Sequence, residues 1–467
     1  MAEQNTLADF AEMMKKDKED RFLPLDMDYE SDEEVASALT AIRRKDPVVL
    51  VSGRAGSGKS KLIHYLKDIK EGARTLCVAP TGIAALSLGA QTIHSTFQLS
   101  LGVLDAENMD TSKRIPQAVK KMNRLVIDEI SMVRADVLDA IDARLRAWRG
   151  IHDPFGGVQI IMVGDFLQLP PVVRGDEENS LKKLGYGTPF AFSAKVLQSM
   201  PLTVCALTKV WRQSNVDLIN ALNDIRQGQR TEMAVSWLNQ KCFKPHRLSS
   251  PLLLTSTRSQ ADSYNMEGLR KAEEEYKGKP KIFLAKKTGA YDDASILPSP
   301  EKLKLIPGVR VMAVRNDQKG DYVNGSLGEV VGFDRGSEDQ ECVLVRFDGS
   351  DKDIKVERAQ WSRSRQVWSD KEQALVEEEI GTYDQIPLVL GYAITIHKSQ
   401  GLTLDDVRLD LGRGAFAPGQ LYVALSRVRS LEGLSLARPL RPQDARVDPM
   451  MLRFLEWARS SPGVRKG

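Results

Sequence analysis

The chain has 467 residues, an apolar fraction of 42% and a formal net charge of +3, long enough for about two to four domains and ordinary for a soluble globular protein. So small a net charge excludes nucleic-acid binding by the field of the whole molecule, leaving only a local basic groove for that purpose. Four dispersed cysteines (Cys77, Cys205, Cys242, Cys342) with no CxxC pair exclude a zinc ribbon or a secreted disulfide framework and fit a reducing compartment.

No run approaches the ~18 apolar residues that a membrane helix needs. The N-terminus carries acidic residues early, unlike a targeting peptide. A soluble cytoplasmic protein with no membrane partner is therefore expected, with no targeting segment to support a nuclear or mitochondrial location.

In chain order, residues 1–35 read as a charged, solvated leader, and Val35–Lys45 as a helix ended by Pro47. VVLVSGRAGSGKS (48–60) follows: a β-branched run, a glycine-rich loop, then KLIHYLKDI with helical spacing. Gly53, Gly58, Lys59 and Ser60 stand where a phosphate loop needs them. In such a loop, backbone N–H groups point at phosphate oxygens at the start of a helix whose dipole favours negative charge. Lys59 would reach the β- and γ-phosphates and Ser60 would sit on Mg²⁺, so the chain is expected to bind a nucleoside triphosphate. Ala55, Gly56 and Ser57 complete the cradle.

Apolar strands then alternate with helices: RTLCVAP (74–80), TGIAALSLGA as a helix, RLVIDE (124–129), VRADVLDAIDARLRAW as a helix, GVQIIMVGD (157–165) and LTVCALT (202–208). That alternation predicts a parallel sheet covered on both faces over residues 36–210. A second series begins at PLLLTST (251–257) and resumes in LVLGYAITIHKSQG, DVRLDLG and LYVALSR, ending in GLSLARP. Between them, residues 305–385 hold short β-like runs, with Asn324-Gly325 as a hairpin signal, and predict a small inserted barrel. RSRQVWSDKEQALVEEE reads as a solvated charged excursion.

Several motifs carry chemistry. LVIDE ends an apolar strand in two acids, Asp128 to hold Mg²⁺ through water and Glu129 to orient or deprotonate an attacking water. GDFLQLPPV puts Gln168 at another strand end, where open α/β sheets bind ligands. Arg212 in VWRQ and Arg427 in ALSR are candidate guanidinium groups for a γ-phosphate met from a facing domain. APTGIAALSLGAQTIHSTF and AITIHKSQG place Thr, Ser, His and Gly at strand-to-helix junctions, where such groups contact a sugar-phosphate backbone without reading bases.

These segments in this order resemble superfamily-one DNA helicases of the petite-integration-frequency (Pif-type) family, including compact bacterial members. The matching runs are GRAGSGKS, APTGIAAL, TIHSTF, LVIDEISMV, FGGVQIIMVGDFLQLPPV, VWRQ, VNGSLGEV, AITIHKSQGLTLDDV and APGQLYVALSRVRSLEGL, spread over residues 48–435. The resemblance implies an α/β fold of two tandem RecA-like P-loop NTPase domains. The first covers 36–210, with a small wedge insertion at 96–120. The second is split into 211–304 and 386–440 around a Src-homology-like β-barrel at 305–385, and a C-terminal helix and tail occupy 441–467.

It also implies a DNA-stimulated ATP hydrolase that moves 5′ to 3′ on single-stranded DNA, uses Mg-ATP, acts at DNA junctions and is a monomer in solution. Carried onto this sequence, Lys59, Ser60, Asp128, Glu129, Gln168, Arg212 and Arg427 form the ATPase set, with Gly401 among the nucleotide contacts. Thr81, Gly82, His94, Ser95, His397 and Ser399 form the DNA-facing set. Replication forks, RNA–DNA hybrids and G-quadruplexes are all substrates handled in this family, with roles in repair, recombination and telomere maintenance. One departure stands out: ahead of the phosphate loop this chain has DYESDEEVASALTAI, without the glutamine of the family's adenine-recognition segment. The alternative to a helicase is an ATP-switched DNA-binding module, or the motor subunit of a nuclease or strand-transfer complex.

Overall fold

The computed structural model describes residues 32–466, apart from 69–73, 101, 111–114, 174, 214, 246–250, 277, 292–296, 318, 337–339, 370–373 and 461–464. Most of the expected leader, residues 1–31, therefore lies outside the described residues.

Asp32 opens the first helix, α1 (Glu33–Arg43), by accepting from the N–H groups of Glu34 and Val35 at 3.1 and 3.3 Å. The helix starts two residues earlier than expected because Asp32 caps it. It ends where Lys45 turns left-handed (φ 60°), before Pro47 is reached. Then follow β1 (Val48–Gly53), α2 (Lys59–Asp68), β2 (Thr75–Ala79), α3 (Gly82–Ser87), β3 (Gln91–Thr92) and α4 (Ile93–Phe97). After α5 (Gln117–Lys121) come β4 (Arg124–Ile127), α6 (Ala135–Arg149), β5 (Gln159–Gly164), α7 (Gly175–Lys183) and β6 (Leu202–Leu207).

These strands lie parallel in the order β3-β2-β4-β5-β1-β6. Strand β1 is buried along its whole length, as its unbroken apolar run requires of a strand covered on both faces. Sequence neighbours β1 and β2 are separated in the sheet by β5 and β4, so the chain reverses direction across the sheet beside β1. Open α/β sheets bind ligands at the carboxyl ends of strands at such a point. The carboxyl ends of β1, β4 and β5 carry the phosphate loop, Asp128–Glu129 and Asp165.

The chain continues through α8 (Val216–Gln227), α9 (Thr231–Cys242), β7 (Leu252–Thr255), α10 (Arg258–Glu275), β8 (Lys281–Leu284), β9 (Lys286–Lys287) and β10 (Lys302–Leu305). Next come β11 (Arg310–Ala313), β12 (Leu327–Arg335), β13 (Glu341–Phe347), β14 (Asp353–Val356), β15 (Ala359–Ser369), β16 (Ala374–Gln385) and β17 (Leu388–Leu390). The last elements are β18 (Ala393–Thr395), β19 (Val407–Asp410), α11 (Gln420–Leu425), β20 (Leu434–Leu436), α12 (Pro449–Ser460) and β21 (Arg465–Lys466). A second parallel sheet runs β18-β7-β19-β20, and an antiparallel sheet runs β14-β13-β12-β11-β17 from Arg310 to Leu390.

The structure adds local detail to three stretches. The charged run RSRQVWSDKEQALVEEE is not irregular chain: its described residues, 363–369 and 374–379, lie in a long antiparallel pair, β15 with β16, whose register runs from Ala359 opposite Gln385 to Ser369 opposite Ala374. Its backbone groups are satisfied by strand pairing, which a charge count does not register. Asn324-Gly325 falls between two antiparallel partners, as its hairpin signal predicts, in a longer connection than a two-residue turn. It lies in the 314–326 connection between β11 and β12, where Ser326 N–H donates to Val323 O and Gly325 takes φ 96°. In LYVALSR, residues 421–425 lie in helix α11 and Arg427 follows two residues beyond its end.

The C-terminal helix returns to the first sheet. Met451 and Leu455 of α12 pack with Leu167 and Phe190, and the Phe454 ring stacks on Phe192 with centroids 4.3 Å apart. Beyond it, β21 pairs in parallel with β6 at the edge of that sheet.

Candidate active site

The loop after β1 is a turn that side chains would block. A Cβ on Gly53 would strike Ser57 Oγ, and one on Gly56 (φ 76°) would come within 2.6 Å of Arg212 Cβ. Gly58 is also left-handed, at φ 87°. Lys59 Nζ curls back to donate to the carbonyls of Gly53 and Arg54, both at 2.8 Å. Burial lowers the Lys59 pKa, while Asp165, Glu129 and Asp128 oppose that shift. The Ser57 hydroxyl is buried with no hydrogen-bond partner, a polar group free to meet a ligand atom in the cradle. Ser60 follows at the first turn of α2 and is exposed.

From β4, Asp128 Oδ1 accepts from the Glu129 N–H at 2.8 Å, and Glu129 is held left-handed at φ 48°. That backbone is uncommon for a residue with a side chain and typical of constrained sites. Burial, reinforced by the charge of Glu129, pushes Asp128 up to about 7. Burial also raises Glu129, against the opposing pull of Lys59, Arg427 and the nearby Gln400 amide. Buried Asp128 and half-buried Glu129, beside a phosphate cradle, fit a divalent cation, which would restore the charged form of Asp128.

Gln168 is buried after β5, and the left-handed Gly419 packs so closely on its carbonyl that a Cβ would collide. Arg212 Nη1 donates to Ser426 O at 3.0 Å, and burial together with Arg427 brings its pKa down to about 9. Arg427 is buried one turn further on, with Nε donating to Val423 O at 3.0 Å and Nη2 to Ser426 Oγ at 2.8 Å. Burial lowers its pKa and Glu129 raises it, which sets the guanidinium after α11 against the acid after β4. Gln213, beside Arg212, donates to Ser426 O and Val428 O at 3.3 and 2.8 Å.

The residues expected to face DNA are more scattered. Thr81 Oγ1 accepts from Ala84 N–H at 3.3 Å and caps α3, which begins at Gly82. Ser95 is exposed on α4, and neighbouring His94 is half-buried, its pKa lowered by burial and by Arg134. His397 stacks on the exposed Phe416 ring at 6.2 Å and 15°. Ser399 is fully buried, its hydroxyl donating to Ile396 O at 2.8 Å. Gly401 is left-handed at φ 85°, with open space where a side chain would stand.

Sequence reasoning missed three participants. Asp165 is gripped by Arg226 of α8 through bonds of 2.9 and 2.7 Å, and Tyr422 of α11 accepts from the Ala55 N–H of the phosphate loop at 3.0 Å. Asp165 had a signal, an acid at the carboxyl end of an apolar strand. Arg226 and Tyr422 sit at helical core spacing and give none.

Residues 30–236 match the family model described as PIF1-like helicase. The ATP-dependent DNA helicase Pif1 of Bdellovibrio bacteriovorus is 34% identical over 430 residues, covering 90% of this chain and 90% of that protein. The chain belongs to the PIF1-like helicase family. Human ATP-dependent DNA helicase PIF1 is 35% identical over 432 residues, and there this PIF1-like chain covers only 63% of the relative's length. The crystal structure of Bacteroides sp Pif1 in complex with ADP-AlF4 superposes with a TM-score of 0.81 at 34% identity, over 92% of this chain and 97% of that one. Bacteroides Pif1 bound to ssDNA superposes less closely, with a TM-score of 0.66 at 36% identity over 94% of this chain and 98% of that one.

Proposed function

We propose that the chain is an ATP-dependent DNA helicase that moves 5′ to 3′ on single-stranded DNA and parts duplex ahead of it. The observation that carries this reading is that Lys59, Asp128 and Glu129, at the carboxyl ends of β1 and β4, lie close enough to Arg427, just after α11, for their charges to act together, with Tyr422 of α11 bonded to the phosphate loop. Family membership and the likeness to a Pif1 solved with ssDNA support DNA as the track.

In this reading the two parallel sheets are the cores of tandem RecA-like domains, 36–210 and 211–304 with 386–440. The antiparallel sheet is the Src-homology-like barrel inserted at about 305–385, residues 96–120 supply the wedge and 441–467 the closing helix and tail. Lys59 exchanges its bonds to Gly53 O and Arg54 O for phosphate oxygens. Ser60 and Asp128 hold Mg²⁺, whose charge would neutralise the phosphates. Glu129 takes a proton from the attacking water, Gln168 reports the terminal phosphate, and Arg212 and Arg427 stabilise charge developing on it. Gly401 borders the nucleotide.

Because Arg427 and Lys59 belong to different domains, loss of the terminal phosphate loosens the cleft, and alternating grip on DNA converts opening into movement. Thr81, Gly82, His94, Ser95 and His397 are assigned to the backbone of the strand, with buried Ser399 shaping the turn that presents His397. A stacking cost of about 1.4 kcal/mol per base-pair step lies well within reach of one ATP per nucleotide. The protein is proposed to act as a monomer in the cytoplasm, at DNA junctions.

The test is strand separation of matched duplexes with a 5′ or a 3′ single-stranded tail, with Mg-ATP and with Glu129→Gln as control. Unwinding of the 5′-tailed duplex alone, absent in the variant, is the expected result. Unwinding from the 3′ tail, or an ATP hydrolysis rate unchanged by single-stranded DNA, would overturn the reading.

A further inference from the structure

The phosphate loop is hydrogen-bonded to the second domain by a group outside the assigned ATPase set. Tyr422, on the short helix α11, is buried, and its hydroxyl accepts from the Ala55 N–H at 3.0 Å across a separation of 367 residues. The helix is fixed at both ends. Left-handed Gly419 packs against the carbonyls of Gln168 and Leu167, and Ser426 N–H closes onto Tyr422 O at 2.9 Å. Arg427 extends from the same turn, its Nε on Val423 O. Asp165 and Arg226 lie close enough for their charges to act on the phenol. A hydroxyl oxygen that accepts one bond keeps its own proton to donate.

We infer that Tyr422 is a positioning residue for hydrolysis: its hydroxyl fixes the Ala55 N–H of the phosphate loop, so the loop keeps its shape only while the helix carrying Arg427 is docked. This rests on the helicase reading above and adds a coupling residue to it. Removing the hydroxyl leaves a buried N–H unpaired only when the two domains are docked. The loss therefore falls on the closed cleft that hydrolysis needs, and not on nucleotide binding by the first domain.

The test is Tyr422→Phe, which keeps the ring and its packing among the apolar residues of the second domain. Steady-state hydrolysis with saturating single-stranded DNA is measured beside wild type, together with the Kd of a fluorescent ADP and the thermal midpoint. The expected result is a kcat lower by about tenfold, from one lost bond of about 1–2 kcal/mol, with KM and the ADP Kd within about twofold and folding intact. An unchanged kcat in an active preparation would overturn the inference and leave the helicase reading standing. A loss of ADP binding or of the thermal midpoint in step with kcat would also overturn it, since that pattern marks a purely structural residue. Absence of DNA-stimulated turnover in wild type would instead sink the helicase reading and this inference with it.

Discussion

Arg226 holds both carboxylate oxygens of Asp165, with Nε 2.9 Å from Oδ2 and Nη2 2.7 Å from Oδ1, and both side chains are buried where α8 meets the first sheet. Burial alone would raise the Asp165 pKa, but Arg226 takes it below the usual carboxylate range, so the pair stays charged. Breaking such a pair from one side strands a charge, whereas replacing both members with apolar groups of similar volume is nearly neutral. Arg226→Met is therefore expected to lose about 3–5 kcal/mol of unfolding free energy. Arg226→Met combined with Asp165→Leu should recover most of that loss. Urea unfolding of the two single variants and the double variant checks this, and additive losses would mean that the two side chains do not act as a pair.

The phosphate loop, the acidic pair and both arginines were legible because their chemistry demands fixed residue types at short spacing. Arg226 and Tyr422 were not, because their partners lie 61 and 367 residues away and arise only from packing. The parallel strands were readable from unbroken apolar runs such as Val48–Gly53. The hairpin Ala359–Gln385 was hidden because its strands are too charged to show a buried period, and their pairing is backbone pairing. The return of α12 to the first sheet was equally hidden, since its apolar positions declare a buried face without naming what covers it.

The Arg427 guanidinium donates to Val423 O and Ser426 Oγ of its own chain turn, and burial lowers its pKa while the charge of Glu129 opposes that shift, so its charge faces the acid and not a distant part of the fold. Arg427→Ala should retain ADP binding within about threefold while kcat falls by about 10³-fold, the scale of an arginine that stabilises phosphoryl-transfer charge. Equilibrium binding of a fluorescent ADP and steady-state hydrolysis decide it. Normal turnover would remove Arg427 from the catalytic set.

Asp444 supplies an acid-sensitive tie. It accepts from Arg438 Nη1 at 2.9 Å and from the Arg441 N–H at 2.9 Å, and it also faces Ala415 N–H. Burial would raise its pKa, but these partners bring it down to about 2 from 3.8. Because the folded value lies below the unfolded one, its stabilisation is complete above about pH 4 and is lost as pH falls toward 2. Asp444→Asn should thus lower the thermal midpoint by several degrees at pH 7 and by progressively less between pH 4 and 2. Melting curves across that range check it, and a variant deficit independent of pH would contradict the charge-based account.

The end of the chain gives the last prediction. Phe454 stacks on Phe192 with centroids 4.3 Å apart and meets Phe166 edge-on at 5.2 Å, so α12 inserts an aromatic ring into a cluster built by the first sheet. Its neighbour Trp457 is 49% exposed. Loss of a partly buried ring with three aromatic partners, Phe166, Phe192 and Trp457, should cost about 2–4 kcal/mol, less than a fully buried phenylalanine only to the extent that water already reaches it. Trp457→Ala should cost under about 1 kcal/mol, despite being the larger truncation. Chemical denaturation of Phe454→Ala and Trp457→Ala separates the two. Equal losses in both variants would mean that the helix rests on the surface and its aromatic contacts carry no weight.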